Sequence, residues 1–271
     1  MRTYLMTFDI TSRHGTESRT FSIGSVSGAR FSSRQVEAMR QHLDQAIVRD
    51  GHYTVATQTN PSIFHVGRYL LTQDDEFEVQ GPLSGGEAEV VAVREGHELF
   101  ITLGSDQCDR ELDALFPDKP KQMCPHPIAT TAWPYDEVKD HWDQMRIYSH
   151  VVVEGHEVTL QDSPIVELVD LEYLLGMDGV KILHDAMVLY CGASEFLEEA
   201  IAKAIKQYDL PPQTAHGIGD TFLARLHDPV LGRTIEHTFR TVPLGDELPE
   251  RTQVPIRQMA NAPEHVLRDG G

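Results

Sequence analysis

The brevity of the apolar runs constrains this chain most. They extend over about four to eight residues, the length of a strand, and are cut repeatedly by Pro61, Gly67, Gly81-Pro82, Gly85-Gly86, Pro117 and Pro120. None approaches the ~18 consecutive apolar residues of a membrane-spanning helix. Thr3–Thr11 and Thr20–Gly24 alternate around a polar turn at Gly15, which predicts a hairpin. Glu87–Val93 and Glu98–Gly104 read as strands meeting at Glu95-Gly96, and Val151–Leu160 as a hairpin turning at Gly155. Met187–Gly192 reads as a buried strand, while Thr221–Leu226 and Thr234–Val242 flank a turn at Asp228–Gly232. Helical spacing is confined to a few segments. Val36, Met39, Leu43 and Ile47 mark an amphipathic helix capped by Ser32 or Ser33 and closed by Gly51. Asp109–Phe116, Tyr135–Met145 with Trp142 on its apolar side, Pro164–Leu175 starting after Asp162 or Ser163, and Glu195–Gln207 are the others. The expected class is α+β, mainly β, as one domain over residues 1–245, followed by a polar, proline-bearing arm over 246–271.

Charge narrows the partners. Lys plus Arg number 23 against 42 Asp plus Glu, a formal charge of −19. No basic stripe is available to neutralise phosphates, so neither nucleic acid nor an anionic membrane is an expected partner. The first residues, Met1 to Asp9, alternate like a strand and lack the charged-then-apolar layout of a signal peptide, which points to a cytoplasmic protein. Cys108, Cys124 and Cys191 form no CxxC pair, which argues against structural zinc and for free thiols in a reducing compartment. The 14 histidines form no HExxH or HxH group.

One local pattern carries chemistry. In Glu87-Ala88-Glu89 the two acids stand at i and i+2, on one face of a strand, where their carboxylates repel unless a cation or proton is shared. Asp106, just past the next strand, is placed to close a three-carboxylate cage suited to Mg²⁺ or Mn²⁺. By spacing alone, an E-x-E pattern is more often just a solvated strand edge. Asp109 reads as a helix cap, Arg110 as a local ion-pair partner, and Lys121, on a proline-constrained loop, as a surface lysine or an anchor for a substrate oxygen.

The order of these pieces resembles the fumarylacetoacetate hydrolase superfamily, and the wording of Gly104-Ser105-Asp106, Asp109-Arg110-Glu111-Leu112 and Lys121-Gln122-Met123-Cys124-Pro125 is closest to an uncharacterised bacterial branch of it. Tyr190–Ser194, Leu226–Ile235 and the hairpin Val153–Glu157 follow in the same order, so the resemblance spans roughly residues 20–242. It implies a fumarylacetoacetate-hydrolase-like β-roll with flanking helices, usually a homodimer, in which residues 1–60 supply a hairpin and a lid-like helix. It also implies Mg²⁺ or Mn²⁺ on Glu87, Glu89 and Asp106, Lys121 orienting the substrate beside Arg110, and Ser194 in place of a threonine of a Gly-Thr-Pro turn. The lid's His-x-x-Glu is only half present: Arg34 stands where the histidine is expected, and Glu37 remains as a candidate base, although a plain helix-face role also fits it.

The activity so implied is divalent-metal-dependent hydrolysis of a C–C bond in a small 2-oxo or 1,3-dioxo acid through an enolate. An isomerase, hydratase or decarboxylase would use the same chemistry, and the absent histidine leaves room for a non-catalytic oxo-acid-binding protein. A cysteine enzyme built on Cys124 or Cys108, with His126 two residues beyond Cys124, is the remaining alternative.

Overall fold

The computed structural model describes residues 4–37, 60–113, 119–181 and 186–244. Two sheets carry the architecture. Their strands are β1 (Tyr4–Ser12), β2 (Gly15–Ile23), β3 (Ser25–Arg30), β4 (Ser62–Val66), β5 (Leu71–Thr72), β6 (Glu76–Val79), β7 (Ser84–Gly85), β8 (Ala88–Glu95), β9 (Glu98–Ser105), β10 (Cys108–Asp109), β11 (His126–Pro127), β12 (Thr131–Pro134), β13 (Arg146–Val153), β14 (His156–Pro164), β15 (Ala186–Ala193), β16 (Thr221–Asp228) and β17 (Arg233–Pro243). The larger sheet has eight strands in the order β2-β1-β12-β9-β8-β15-β3-β4, and the second has five in the order β14-β13-β16-β17-β6. Two short pairs, β7 with β10 and β5 with β11, tie the loops around the end of β9.

β8 lies in the middle of the large sheet, and its sequence shows why. Ala88, Val90 and Ala92 pack against residues of the second sheet such as Ile147, Leu160 and Phe222. Val91 and Val93 face the other way, into a second cluster with Phe8, Phe21, Phe100 and Val188. A strand buried on both faces has no polar side to present, so it reads as a continuous apolar run. Glu89 interrupts that run at 2% exposure and is therefore anomalous for a strand like this one.

The hairpin at the N-terminus, the β8–β9 pair and the strand ending at Gly192 form as the sequence predicts. The expected hairpin at Gly155 extends to Arg146–Pro164, with a bulge at Ser149/His150. Two helices differ. Tyr135–Met145 is a pair of 3-10 turns, Tyr135–Glu137 and Lys139–Gln144, broken at His141 (φ −130°, ψ 24°), although Trp142 is buried as expected. Pro164–Leu175 divides into a 3-10 turn at Ile165–Glu167 and a helix at Leu171–Gly176. That helix is capped by Asp170, whose carboxylate accepts from the amides of Glu172 and Tyr173. Pro164 cannot donate and Asp170 competes for free amides, so the cap moves downstream. Ser33 Oγ accepts from the amide of Gln35, and a helix opens at Val36. The remainder of the expected lid helix, the end of the Asp109–Phe116 helix and the arm beyond Leu244 lie outside the described residues.

Candidate metal centre

β8 and β9 deliver the acidic residues to one place. Glu87 immediately precedes β8, Glu89 is its second residue, and Asp106 follows β9, held by a bond from its amide to the carbonyl of Glu87 (3.0 Å). One ligand oxygen from each carboxylate lies within 4.8 Å of the others. Asp106 is 3% exposed and Glu89 2%, which rules out the solvated strand edge.

Cations pair with two of the three acids. Lys121 Nζ is 2.7 Å from Asp106 Oδ2 and 3.8 Å from Glu87 Oε2, and Arg110 Nη2 donates to Glu87 Oε1 at 2.9 Å. Lys121 is 5% exposed and sits in a helical turn, Lys119–Gln122, rather than on the proline-constrained loop expected. Asp109 caps the short helix Arg110–Asp113, accepting from the amides of Glu111 and Leu112, which aims Arg110 back at Glu87.

The charges are unevenly shared. Burial would raise the Glu87 carboxyl, but Lys121 and Arg110 outweigh it and hold Glu87 at about 2. Glu89 makes no ion pair among the described residues: burial first, and Asp106 second, push it well above the usual range, outweighing the pull of Lys121 and the Gly192 amide. Lys121 is held well above its ordinary value, because Asp106 and Glu87 more than offset its burial. The cations thus favour Glu87 and Asp106, and Glu89 is the acid least compensated for its burial.

Residues 29–239 match the family described as protein of unknown function (DUF2848). The chain belongs to the DUF2848 family. No curated protein matches the sequence. Solved structures share the fold at low identity. The 2-keto-3-deoxy-D-arabinonate dehydratase complexed with magnesium and 2,5-dioxopentanoate aligns with a TM-score of 0.52 and 15% identity, over 83% of this chain and 77% of that one. The 5-carboxymethyl-2-hydroxymuconate delta-isomerase from Mycobacterium smegmatis aligns at 0.52 and 13%, over 88% and 98%. A fumarylacetoacetate hydrolase family protein from Yersinia pestis CO92 gives 0.52 and 12%, over 87% and 100%. The expected fold is therefore the observed one.

The donor set of this DUF2848 chain fits a hard divalent cation. All three donors are carboxylate oxygens, and among the described residues the buried Asp106 Oδ1 accepts no hydrogen bond, with His126 Nδ1 3.3 Å away, and Glu89 makes no ion pair. Glu87, Glu89 and Asp106 are the residues that would hold it.

Ser194, one residue past β15, is buried and bonded through Oγ to Gln161 Nε2 (3.2 Å). Glu37 is exposed in the opening turn of its helix, and Arg34 pairs with Asp143 at 2.9 Å and Asp170 at 3.7 Å.

Gly192 escaped the sequence, and His126 was read only as a partner for Cys124. Gly192 donates its amide to Glu89 Oε2 at 2.8 Å. It does so from a β-bulge that opens the β15–β8 register between Tyr190 and Ala193, with a φ of +100° that favours glycine. The glycine of Gly192-Ala193-Ser194 at the end of an apolar run was the signal available. His126 is turned towards Asp106, with Nδ1 3.3 Å from Oδ1, while its Nε2 meets the carbonyl of Lys121 at 2.8 Å. Its ring nitrogens are thus directed at Asp106 and Lys121 and not at Cys124, whose Sγ lies 3.3 Å from Ser84 Oγ. Burial pushes the Cys124 thiol up to about 11 and Cys108 to about 12. Neither has the lowered pKa of an activated nucleophile, which removes the support for a cysteine enzyme.

Proposed function

We propose that this DUF2848 protein is a divalent-metal-dependent enzyme of the fumarylacetoacetate hydrolase superfamily that acts on a small oxo-acid. The observation that carries the reading is a buried three-carboxylate cluster in which Glu87 and Asp106 make ion pairs and Glu89, among the described residues, makes none. A bound Mg²⁺ or Mn²⁺ would supply positive charge there and act as a Lewis acid towards substrate oxygens. Lys121, fixed at 7% side-chain exposure against Asp106, offers an ammonium to a carboxylate or developing oxyanion. Arg110 keeps Glu87 ionised and oriented. Ser194 offers a hydroxyl at the end of β15.

The reaction we assign is hydrolysis of a C–C bond in a 2-oxo or 1,3-dioxo acid, with Glu37 as the base that draws a proton from water. A reaction without water attack, isomerisation or dehydration, is the second reading. It is favoured by the absent lid histidine and by two of the structures of like fold, which are a dehydratase and an isomerase. The resemblance that suggests the chemistry also suggests a homodimer, and the free cysteines suit a reducing, cytoplasmic setting. Among the described residues no helix is long and apolar enough to cross a membrane.

Metal-stripped protein titrated with Mg²⁺ and Mn²⁺, with and without oxalate as an enolate mimic, tests the site by its melting temperature. Stabilisation by metal that oxalate increases is the expected result. No shift with either ion overturns the assignment. Turnover of acylpyruvates, judged against isomerisation and dehydration of hydroxylated oxo-acids, then separates the two reactions.

A further inference from the structure

The geometry points to Gln161 as the residue that positions the metal-binding Glu87–Glu89 pair, an inference that rests on the metal reading above. Its side chain crosses from the five-stranded sheet to the middle of the eight-stranded one, and at 0% exposure it is wholly enclosed. Gln161 Oε1 accepts from the amide of Ala88 at 2.9 Å, and Nε2 donates to the carbonyl of the same residue at 3.2 Å. A side-chain amide bonded to both polar groups of one residue imitates a neighbouring strand.

The need for that imitation comes from the bulge. In an antiparallel sheet, the polar groups of successive residues point to alternate neighbours. The carbonyl of Glu87 bonds the amide of Asp106 on the β9 side, so Ala88 addresses the β15 side. There the register runs from Tyr190 opposite Val91 to Ala193 opposite Glu89, so β15 carries one residue more than β8. The extra residue turns the Gly192 amide onto Glu89 and takes the ladder partner away from Ala88. Gln161 fills the place. Buried amide and carbonyl groups left unpaired there would cost stability and free the peptide to rotate, carrying the carboxylates on either side with it.

The same amide binds the end of β15. Nε2 also reaches the carbonyl and Oγ of Ser194, at 3.1 and 3.2 Å. Oε1 also accepts from Ser149 Oγ at 2.6 Å, and the Ala88 amide, which can only donate, fixes which end of the side chain is oxygen. The strand that carries Gln161 is shaped for this role. At the β13–β14 bulge Leu160 and Gln161 are both buried, consecutive residues that a regular strand would send to opposite faces. Gln161 thus acts on the metal through Ala88, without touching it.

The experiment is Mn²⁺ titration followed by electron paramagnetic resonance, comparing the parent with Gln161→Met, Gln161→Glu and Ser149→Ala. Gln161→Met keeps the bulk and loses every bond. Gln161→Glu keeps the acceptor and loses the donor. Ser149→Ala removes one bond and leaves Gln161 in place, so it serves if the other variants fail to fold. Mn²⁺ affinity is expected to fall about 10- to 100-fold for the two Gln161 variants, with an altered line shape of the bound ion. About 3-fold is expected for Ser149→Ala. A residue with only a structural role would lower the melting temperature and leave affinity and line shape unchanged. Folded variants with the parent's affinity and line shape overturn this inference alone. A parent protein that binds no Mn²⁺ overturns the metal reading and this inference with it.

Discussion

Glu89→Gln should act in opposite directions on the two forms of the protein. The substitution keeps an oxygen for the Gly192 amide, 2.8 Å away, so the bulge loses no partner. It removes the charge that burial and Asp106 oppose. A carboxyl raised in the folded state contributes its full stability below its unfolded value and loses it as pH rises through the folded one. The metal-free parent therefore carries a penalty at neutral pH that the glutamine lacks. The variant should melt higher than the metal-free parent at pH 7, and the gap should close as pH falls towards the ordinary glutamate value of 4.5. With metal the order reverses. At 100 times the dissociation constant an ion adds about 2.7 kcal/mol to the parent. That is about 5–10 °C for a domain of this size. Glu89→Gln should show little of it. The assay is differential scanning fluorimetry of chelator-treated protein from pH 5 to 8, with and without Mn²⁺. A variant that melts well below the metal-free parent at pH 7, or that keeps the full Mn²⁺ shift, refutes the poorly compensated charge of Glu89 as the basis of the site.

Asp228 is wholly buried and accepts from the amides of Val230 and Leu231 and from Arg233 Nε, with His141 Nε2 at 2.9 Å. Asp228→Ala should cost about 3 kcal/mol in urea unfolding at pH 7. Against burial, His141 and the turn amides hold this carboxyl below its ordinary 3.8, so the difference from the parent should be complete above that pH and shrink below it. A Cβ at Gly104 would stand 2.7 Å from Tyr190 Cε1 and 2.8 Å from the carbonyl oxygen of Pro127, so Gly104→Ala should destabilise by about 2 kcal/mol in the same assay. Cys108 and Cys124 are buried with raised pKa values, so Ellman's reagent should label them only on unfolding, and Cys124→Ser should retain the Mn²⁺ shift. Rapid labelling of the native protein would revive the thiols as a reactive pair.

The strands were legible because burial imposes their period. β1 alternates from Leu5 to Ile10 between exposed and buried, and β8 is apolar throughout because a cluster lies on each face. The helical segments were harder to place. Tyr135–Met145 has apolar residues at helical spacing, yet Val138, Trp142 and Met145 reach the core from consecutive 3-10 turns, which bring i and i+3 to one side as well. Spacing by itself does not separate the two.

At the candidate site the same division holds, for a different reason. Glu87, Glu89 and Asp106 were visible because carboxylates at i and i+2 in an apolar strand conflict with burial, and a conflict at one level of a sequence marks a position answering to something else. Lys121 and Arg110 join them through the short helices that follow β10, whereas pattern alone left Arg110 as a local ion-pair partner and Lys121 open between a surface lysine and an anchor for a substrate oxygen. What holds the acids in place left almost no trace. The Gly192 amide is backbone, the register shift that aims it depends on pairing between distant strands, and Gln161 lies 73 residues from the peptide it binds. A glutamine in an ordinary hairpin strand carries no local oddity; its partners exist only once two sheets are stacked. The acids alone make a repulsive cluster, and the backbone around them makes it a site, so the residues that tune metal affinity should be sought among the bonds to Ala88 and Gly192 before the exposed rim.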